Sequence, residues 1–186
     1  NNIVGLIGGE HTLTVGAVRA YQRHYPSLSV LYLDAHADLR DEYQGSPFSH
    51  ACVARRVLEM CPIVEAGVRS LSEEERRFID DQNIPVFYWQ TQDTNVSVIS
   101  PAIIDKLSDY VYVSIDLDVL DPSIMSAVGT PEPGGMSWDA ITSLLRLLSR
   151  SKRIVGFDVV ELSPEEGPEA CSFIASKLIY KLIGYA

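Results

Sequence analysis

The sequence predicts an α/β fold built around a mostly parallel sheet. Short apolar segments rich in Val, Ile, Leu and Tyr alternate along the chain with longer helical patterns. Short segments of this composition suit strands that are buried on both faces. Strands that alternate with helices imply crossover connections and hence parallel pairing. The 186 residues, 46% of them hydrophobic, are enough for a single domain over 1–186, and no repeat or linker divides them.

The pattern places each element in turn. Strands are predicted at residues 3–7, 28–33, 63–68, 86–88, 110–115 and 154–159. Helices are predicted at residues 11–24, 50–59, 73–82, 98–107, 138–149 and 166–183. Ser72 and Glu75 have the spacing of a capping box, and Ser137 is suited to cap the helix that follows it. The longest irregular stretch is 118–136, and a long loop in a compact domain is often functional.

Charge and composition exclude several classes of protein. The net charge of −10 argues against a nucleic-acid partner, because phosphate binding needs a basic surface, but it suits a cationic substrate. No apolar run approaches the length that spans a membrane, and no signal peptide is visible. Cys52, Cys61 and Cys171 lack metal-site spacing, so we expect reduced thiols in a cytoplasmic protein.

Ligand-type side chains follow the second predicted strand. Asp34, His36 and Asp38 alternate with alanines, and alternate side chains of an extended chain point the same way. We therefore expect the three side chains to converge just beyond the strand end. Taken alone, a polar loop that caps the next element explains this triplet equally well.

A second pair of carboxylates follows the strand predicted at 110–115. Asp116 and Asp118 repel each other if they share one face, and a divalent cation is the usual remedy. The alternative is two solvated aspartates that open a turn. Taken alone, this pair favours a metal only slightly.

Two further residues are weaker signals on their own. His11 follows a glycine pair at the first strand end, where a lone histidine is more often a cap or a surface residue. Glu161 follows the last strand, where an ordinary charged residue is the simpler interpretation. In an open parallel sheet, however, ligand sites form beyond the carboxyl ends of strands. Four strands here deliver acidic or imidazole groups at that end, and this conjunction predicts a site.

The number of candidate ligands favours two metal ions. The six groups are His11, Asp34, His36, Asp38, Asp116 and Asp118. A single zinc site uses three or four ligands, so six suit two ions joined by bridging carboxylates. Mixed carboxylate and imidazole ligands favour Mn²⁺, with Fe²⁺, Co²⁺ or Zn²⁺ as alternatives. The surplus of carboxylates leaves such a cluster slightly negative, which again favours a cationic substrate.

Together these segments resemble the ureohydrolase family, which includes arginase and agmatinase. The resemblance rests on residues 8–11, 34–38, 114–122 and 158–164, in the family's order. It implies an arginase-like three-layer α/β/α fold. It also implies that the first strands of the family fold, which come before the strand predicted at residues 3–7, are missing, so that the chain looks truncated at its N-terminus.

The resemblance implies a role for each candidate ligand. One Mn²⁺ is expected to be held by His11, Asp34, Asp38 and Asp116. The other is expected to be held by Asp34, His36, Asp116 and Asp118. Asp34 and Asp116 would then bridge the two ions.

The resemblance also implies three catalytic residues. Glu161 matches the acid that binds the guanidinium group of the substrate. His50 matches a histidine near the substrate that shuttles protons. Asp38 is expected to orient the hydroxide and to deliver a proton to the leaving amine.

Within the family, residues 38–43, 49–52, 67–70 and 129–135 resemble agmatinases more than arginases. The acidic residue with which arginases bind an α-ammonium group has no clear match near Arg69 and Ser70. The resemblance therefore implies that a small cationic guanidino substrate, agmatine, is hydrolysed to putrescine and urea. It further implies a homo-oligomer, either a trimer or a hexamer.

Three other interpretations remain open at this stage. The chain could have arginase or guanidinobutyrase activity, which a panel of guanidino substrates would reveal. It could be a single-metal deacylase of the histone-deacetylase type, which would release acetate rather than urea. It could also be an inactive fragment or a non-catalytic subunit that retains the metal ligands.

Overall fold

The computed structural model describes residues 3–89 and 95–186. Six strands form one sheet in the order β1-β6-β5-β2-β3-β4, and all neighbouring strands are parallel. The strands are β1 (Val4–Ile7), β2 (Leu28–Leu33), β3 (Ile63–Ala66), β4 (Val86–Phe87), β5 (Tyr110–Asp116) and β6 (Arg153–Val160). The predicted α/β class and the six predicted strands are confirmed, and within the described residues the sheet is entirely parallel.

Helices connect the strands at the predicted places. They are α1 (Leu13–Gln22), α2 (Val53–Leu58), α3 (Glu73–Gln82), α4 (Val96–Asp105), α5 (Trp138–Ser151) and α6 (Glu169–Tyr185). The predicted capping box is present at the start of α3, where Ser72 and Glu75 bond each other's backbone N–H. The predicted cap of α5 is also present, because Ser137 Oγ accepts from the backbone N–H of Ala140 at 3.1 Å.

Several helix boundaries differ from the prediction. The helix predicted at 50–59 is a 3₁₀ turn, His50–Cys52, followed by α2. A second 3₁₀ turn, Pro164–Glu166, precedes α6, so that helix begins three residues later than predicted. The start of α4 lies two residues earlier than predicted, because the Asn95 side chain caps it by accepting from the backbone N–H of Ser97.

The sheet separates two hydrophobic clusters and thus forms three layers. On one side, which we call the aliphatic face, Leu31, Leu33, Val111, Val113 and Ile115 contribute to a cluster with residues of α4, α5 and α6. On the other side, which we call the polar face, Tyr32 and Tyr112 contribute to a cluster with residues of α1, α2 and α3. Strand alternation also places Glu65, Ser114 and Asp158 on the polar face.

Val4, Leu6 and Ile7 of the edge strand β1 are exposed. The cysteines Cys52, Cys61 and Cys171 are free and buried. Among the described helices, none has the length and apolar character needed to cross a membrane.

Candidate metal centre

The candidate ligands meet at the carboxyl edge of four adjacent strands. Strands β1, β6, β5 and β2 are consecutive in the sheet, and their carboxyl ends lie at one edge because the pairing is parallel. His11 follows β1, Asp34 follows β2, Asp116 ends β5 and Glu161 follows β6. The sheet order therefore explains how residues 150 positions apart come into contact: Glu161 Oε1 accepts from the backbone N–H of His11 at 2.6 Å.

Two groups of ligand atoms share one carboxylate. His11, Asp34 and Asp38 form the first group, and Asp34, His36 and Asp118 form the second. Within each group the ligand atoms lie within 4.8 Å of one another. Asp34 belongs to both groups, so its carboxylate stands between two possible ion positions.

Imidazole nitrogens face the carboxylates in both groups. His11 Nδ1 lies 3.3 Å from Asp34 Oδ2, 3.3 Å from Asp116 Oδ2 and 3.6 Å from Asp38 Oδ2. His36 Nδ1 lies 2.9 Å from Asp118 Oδ2 and 3.5 Å from Asp34 Oδ1. The structure thus brings together all six predicted ligands, with Asp116 beside the first group.

The local backbone differs from the extended chain that the sequence suggested. Asp34 Oδ1 accepts from the backbone N–H of His36 at 2.7 Å, which turns the chain directly after β2. Asp38 has a φ of 51°, in the left-handed region, so the segment is not a continuous strand. Asp116 likewise accepts from the N–H of Asp118 and caps a 3₁₀ turn. The predicted convergence is present, but turns produce it rather than simple alternation.

Buried charge dominates the electrostatics of this edge. Burial raises the pKa of Asp38 and of Asp116, and neighbouring carboxylates raise both further. Burial also raises the pKa of Asp34, but the close imidazoles of His11 and His36 outweigh it and lower that pKa. Burial lowers the pKa of His36, yet Asp118 and Asp34 raise it to about 11.

One buried oxygen has no hydrogen-bond donor. Within the described part of the chain, Asp34 Oδ2 accepts no hydrogen bond, although His11 Nδ1 is only 3.3 Å away. A buried carboxylate oxygen without a partner is costly, and cations are its usual partners. This oxygen belongs to Asp34, the residue common to both groups of ligand atoms. A metal ion bound there would give it the partner that it lacks.

A hydrogen-bond chain on the polar face defines the orientation of His11. Ser114 Oγ donates to Asp158 Oδ1 at 2.7 Å and lies 3.0 Å from His11 Nε2. Since the Ser114 proton is committed to Asp158, the Ser114 oxygen accepts from Nε2–H. His11 Nδ1 then faces the carboxylate cluster and lies 3.1 Å from the Tyr32 hydroxyl.

The predicted catalytic residues line one cavity beside the clusters. Asp38, His50, Asp116 and Glu161 contribute to its walls, and its volume is about 460 Å³. The His50 side chain is 53% exposed, and its Nδ1 lies 4.0 Å from Glu10 Oε1. Glu161 has a φ of 64°, and burial raises its pKa while the hydrogen bond from His11 lowers it.

Arg69 ties the loops around the cavity together. Its guanidinium donates to the backbone carbonyls of Gly67, Asp118, Val119, Glu132 and Pro133. The contacts to Asp118 and Glu132 are 2.7 Å each. Arg69 therefore fixes the loop that carries Asp118 against the segment around Glu132.

Sequence reasoning assigned no role to Tyr32, Ser114 or Asp158. A signal for them was present, because each is a polar residue in the middle of an otherwise apolar strand. Buried polar groups of this kind need partners, and strand alternation directs Tyr32 and Ser114 to the same face as the ligands Asp34 and Asp116.

An all-parallel α/β sheet with two carboxylate–imidazole clusters at its carboxyl edge defines a class of candidate metalloproteins. Comparison with known proteins is more specific: the Arginase family model matches residues 1–184. The chain belongs to the arginase family.

Two relatives and one solved structure illustrate the similarity. N(1)-aminopropylagmatine ureohydrolase of Synechocystis sp. is 42% identical over 96% of this chain and 59% of the relative. Agmatinase of Pyrococcus horikoshii is 39% identical over 96% of this chain and 61% of the relative. The agmatine ureohydrolase of Thermoplasma volcanium superposes with a TM-score of 0.88 at 36% identity, over 99% of this chain and 62% of that one. The chain thus spans about 60% of the length of these relatives.

Proposed function

We propose that this chain is a binuclear metal hydrolase that cleaves a guanidino group to urea and an amine. The observation that carries the proposal is Asp34, which is shared by two groups of ligand atoms. A single-metal deacylase needs one such group, so the shared carboxylate favours two ions. Membership of the arginase family supports the reaction class.

The donor set fits two divalent ions of the Mn²⁺ type. His11, Asp34 and Asp38 would hold one ion, and Asp34, His36 and Asp118 would hold the other. Asp116, whose Oδ2 lies 3.3 Å from His11 Nδ1, would complete the first site and bridge to the second. Carboxylate and imidazole ligands suit Mn²⁺, with Fe²⁺, Co²⁺ and Zn²⁺ as alternatives.

The residues around the cavity have separable tasks. The bound ions would lower the pKa of a water and so supply a hydroxide at neutral pH. Glu161 binds the guanidinium group through a charge-assisted hydrogen bond and aims its carbon at the clusters. Asp38 accepts a proton from the nucleophile, and Asp38 or the exposed His50 delivers one to the leaving amine.

We propose agmatine as the substrate, with putrescine and urea as products. The name of the P. horikoshii relative supports this substrate. N(1)-aminopropylagmatine is the second candidate, because the Synechocystis relative is named for it. Both are cationic guanidines, which suits the carboxylate-rich cavity.

A substrate panel tests the reaction. The Mn²⁺-loaded chain is incubated with agmatine, N(1)-aminopropylagmatine, arginine and guanidinobutyrate, and urea and acetate release are measured. We expect urea from one of the first two substrates. Urea released only from arginine or only from guanidinobutyrate would show that the proposed substrate is wrong and identify the one that is used. Two bound ions without any urea would instead show a non-catalytic subunit or fragment.

A charge-neutral variant tests the substrate contact. Glu161→Gln should raise KM and lower kcat/KM about 10²-fold or more, without loss of metal, because the guanidinium loses its partly buried ionic partner. Glu165→Gln is the matched control, since Glu165 is exposed four residues further on. Equal kinetics of the two variants would remove Glu161 from the site.

Proton delivery has its own test. His50→Ala should slow turnover about 10²-fold while both ions stay bound, because His50 is no ligand in this scheme. His24→Ala serves as the control, since His24 is exposed at the end of α1. Loss of metal from His50→Ala would show that its assignment is wrong.

A cytoplasmic location and a trimeric or hexameric state stay predictions. Light scattering would measure the oligomeric state.

A further inference from the structure

Tyr32 contacts two predicted ligands of the same ion. It lies in β2 and is fully buried. Its hydroxyl donates to Asp38 Oδ2 at 2.8 Å. Its ring stacks on the His11 imidazole, with ring centroids 4.8 Å apart and an interplanar angle of 8°.

The phenol is well suited to hold a ligand. A tyrosine hydroxyl keeps its proton at neutral pH, so it can donate a hydrogen bond. An ionised carboxylate only accepts, and each of its oxygens has two lone pairs. Asp38 Oδ2 can therefore take the Tyr32 hydrogen bond and still face an ion.

The surroundings of Asp38 favour such a hold. Asp38 has a φ of 51°, in the left-handed region that aspartate tolerates better than most residues. Its carboxylate also lies among other buried acids, including Asp34, whose charge repels it. A donor at 2.8 Å opposes that repulsion and fixes the direction of Oδ2 towards His11 Nδ1, 3.6 Å away.

We infer that Tyr32 is a positioning residue of the metal centre, whose hydroxyl orients Asp38 and whose ring orients His11 towards one ion. The inference rests on the proposed two-metal function. It assigns Tyr32 no contact with the substrate and no proton transfer.

The neighbouring strand offers a matched control. Tyr112 of β5 is also fully buried on the polar face, and its hydroxyl donates to Asp158 Oδ2 at the same distance of 2.8 Å. Asp158 is not a predicted ligand, and the Ser114 hydroxyl stands between it and the His11 imidazole. Tyr32→Phe and Tyr112→Phe thus remove the same group from similar surroundings, and both keep the ring.

The experiment compares the Mn²⁺ affinity of the two variants. Free Mn²⁺ is followed by electron paramagnetic resonance during titration of the whole chain, and thermal unfolding is recorded after chelation. We expect Tyr32→Phe to weaken binding of one ion about tenfold or more, the usual cost of losing a group that orients a ligand. Tyr112→Phe should stay close to the parent affinity, while both variants lose similar stability without metal.

The outcomes are distinct. Equal Mn²⁺ affinities of the two variants would overturn the inference, because loss of the Tyr32 hydroxyl would then matter no more than loss of another buried hydroxyl. Excess Mn²⁺ should restore most of the urea release by Tyr32→Phe. A kcat that stays low when Mn²⁺ is saturating would instead show that Tyr32 takes part in catalysis, and its assignment as a positioning residue would be overturned. A parent chain that binds two ions but releases no urea would refute the proposed reaction, and the affinity comparison would still decide the role of Tyr32.

Discussion

The two faces of the sheet use the same strands for different purposes. On the aliphatic face, Val111, Val113 and Ile115 of β5 belong to the hydrophobic cluster of α4, α5 and α6. On the polar face, Tyr112 and Ser114 of the same strand donate hydrogen bonds to buried Asp158. The aliphatic face gains its stability mainly from apolar burial, whereas the polar face holds groups that must each find a hydrogen-bond partner. The difference implies that stability and metal binding can be altered separately.

The largest expected effect is on the aliphatic face. Leu145 of α5 is fully buried in that cluster, so Leu145→Ala should lower the free energy of unfolding by about 2–5 kcal/mol. The Mn²⁺ affinity of the folded protein should not change, because Leu145 packs on the side of the sheet away from Tyr32 and Ser114. Chemical denaturation and Mn²⁺ titration measure the two quantities. A parallel loss of affinity would show that the two faces are not separable.

A smaller effect, of opposite sign, is expected on the polar face. Glu65 is fully buried, and in the described part of the chain neither of its carboxylate oxygens has a hydrogen-bond partner. Burial raises its pKa well above the ordinary value of 4.5. Glu65→Gln should therefore stabilise the protein by about 1–3 kcal/mol at neutral pH.

The stability gained by Glu65→Gln should depend on pH. Above pH 4.5 the folded chain keeps a proton on Glu65 that the unfolded chain releases, so the stability of the parent protein falls as pH rises towards the raised pKa. The advantage of Glu65→Gln should grow over the same range and vanish in more acidic solution. Glu74→Gln, at an exposed position in α3, is the control. A Glu65→Gln variant that is less stable at neutral pH would contradict the prediction.

The smallest effects compare two helix caps on opposite faces. Ser72→Ala and Ser137→Ala should each cost about 1 kcal/mol of stability, because each removes an acceptor at a helix start. Ser72 also donates to Glu75 Oε2, and Glu75 Oε1 accepts from the backbone N–H of Leu39, next to Asp38. Ser72→Ala alone should therefore weaken Mn²⁺ binding, by less than Tyr32→Phe. Equal Mn²⁺ affinities of Ser72→Ala and Ser137→Ala would show that Ser72 stabilises only its own helix.

Local signals in the sequence predicted much of the fold. The capping box of Ser72 and Glu75 needs only neighbouring residues, and it is present where expected. The start of α1 was harder to predict, because the backbone N–H of His11 bonds Glu161 and the helix begins only at Leu13. That contact joins residues 150 positions apart, so no local pattern reveals it.

The location of the candidate site was predictable, but its internal geometry was not. Parallel pairing brings strand ends together, which is why Asp34 and Asp116 meet at one edge. The left-handed conformation of Asp38 and the stacking of Tyr32 on His11 depend on packing across three elements. The pattern of residue types alone contains no information about either.

The clamp formed by Arg69 has a consequence for how the cavity can diverge. Within residues 3–89 and 95–186 its five hydrogen-bond acceptors are main-chain carbonyls, so Arg69 recognises the path of the loops and not the identity of their side chains. Gly129 and Thr130 line the cavity close to Glu132 in the same loop. Substitutions there can reshape the wall of the cavity for a different ligand while the loops beneath keep their path. The selectivity of the cavity can therefore change while the candidate metal ligand Asp118 keeps its position.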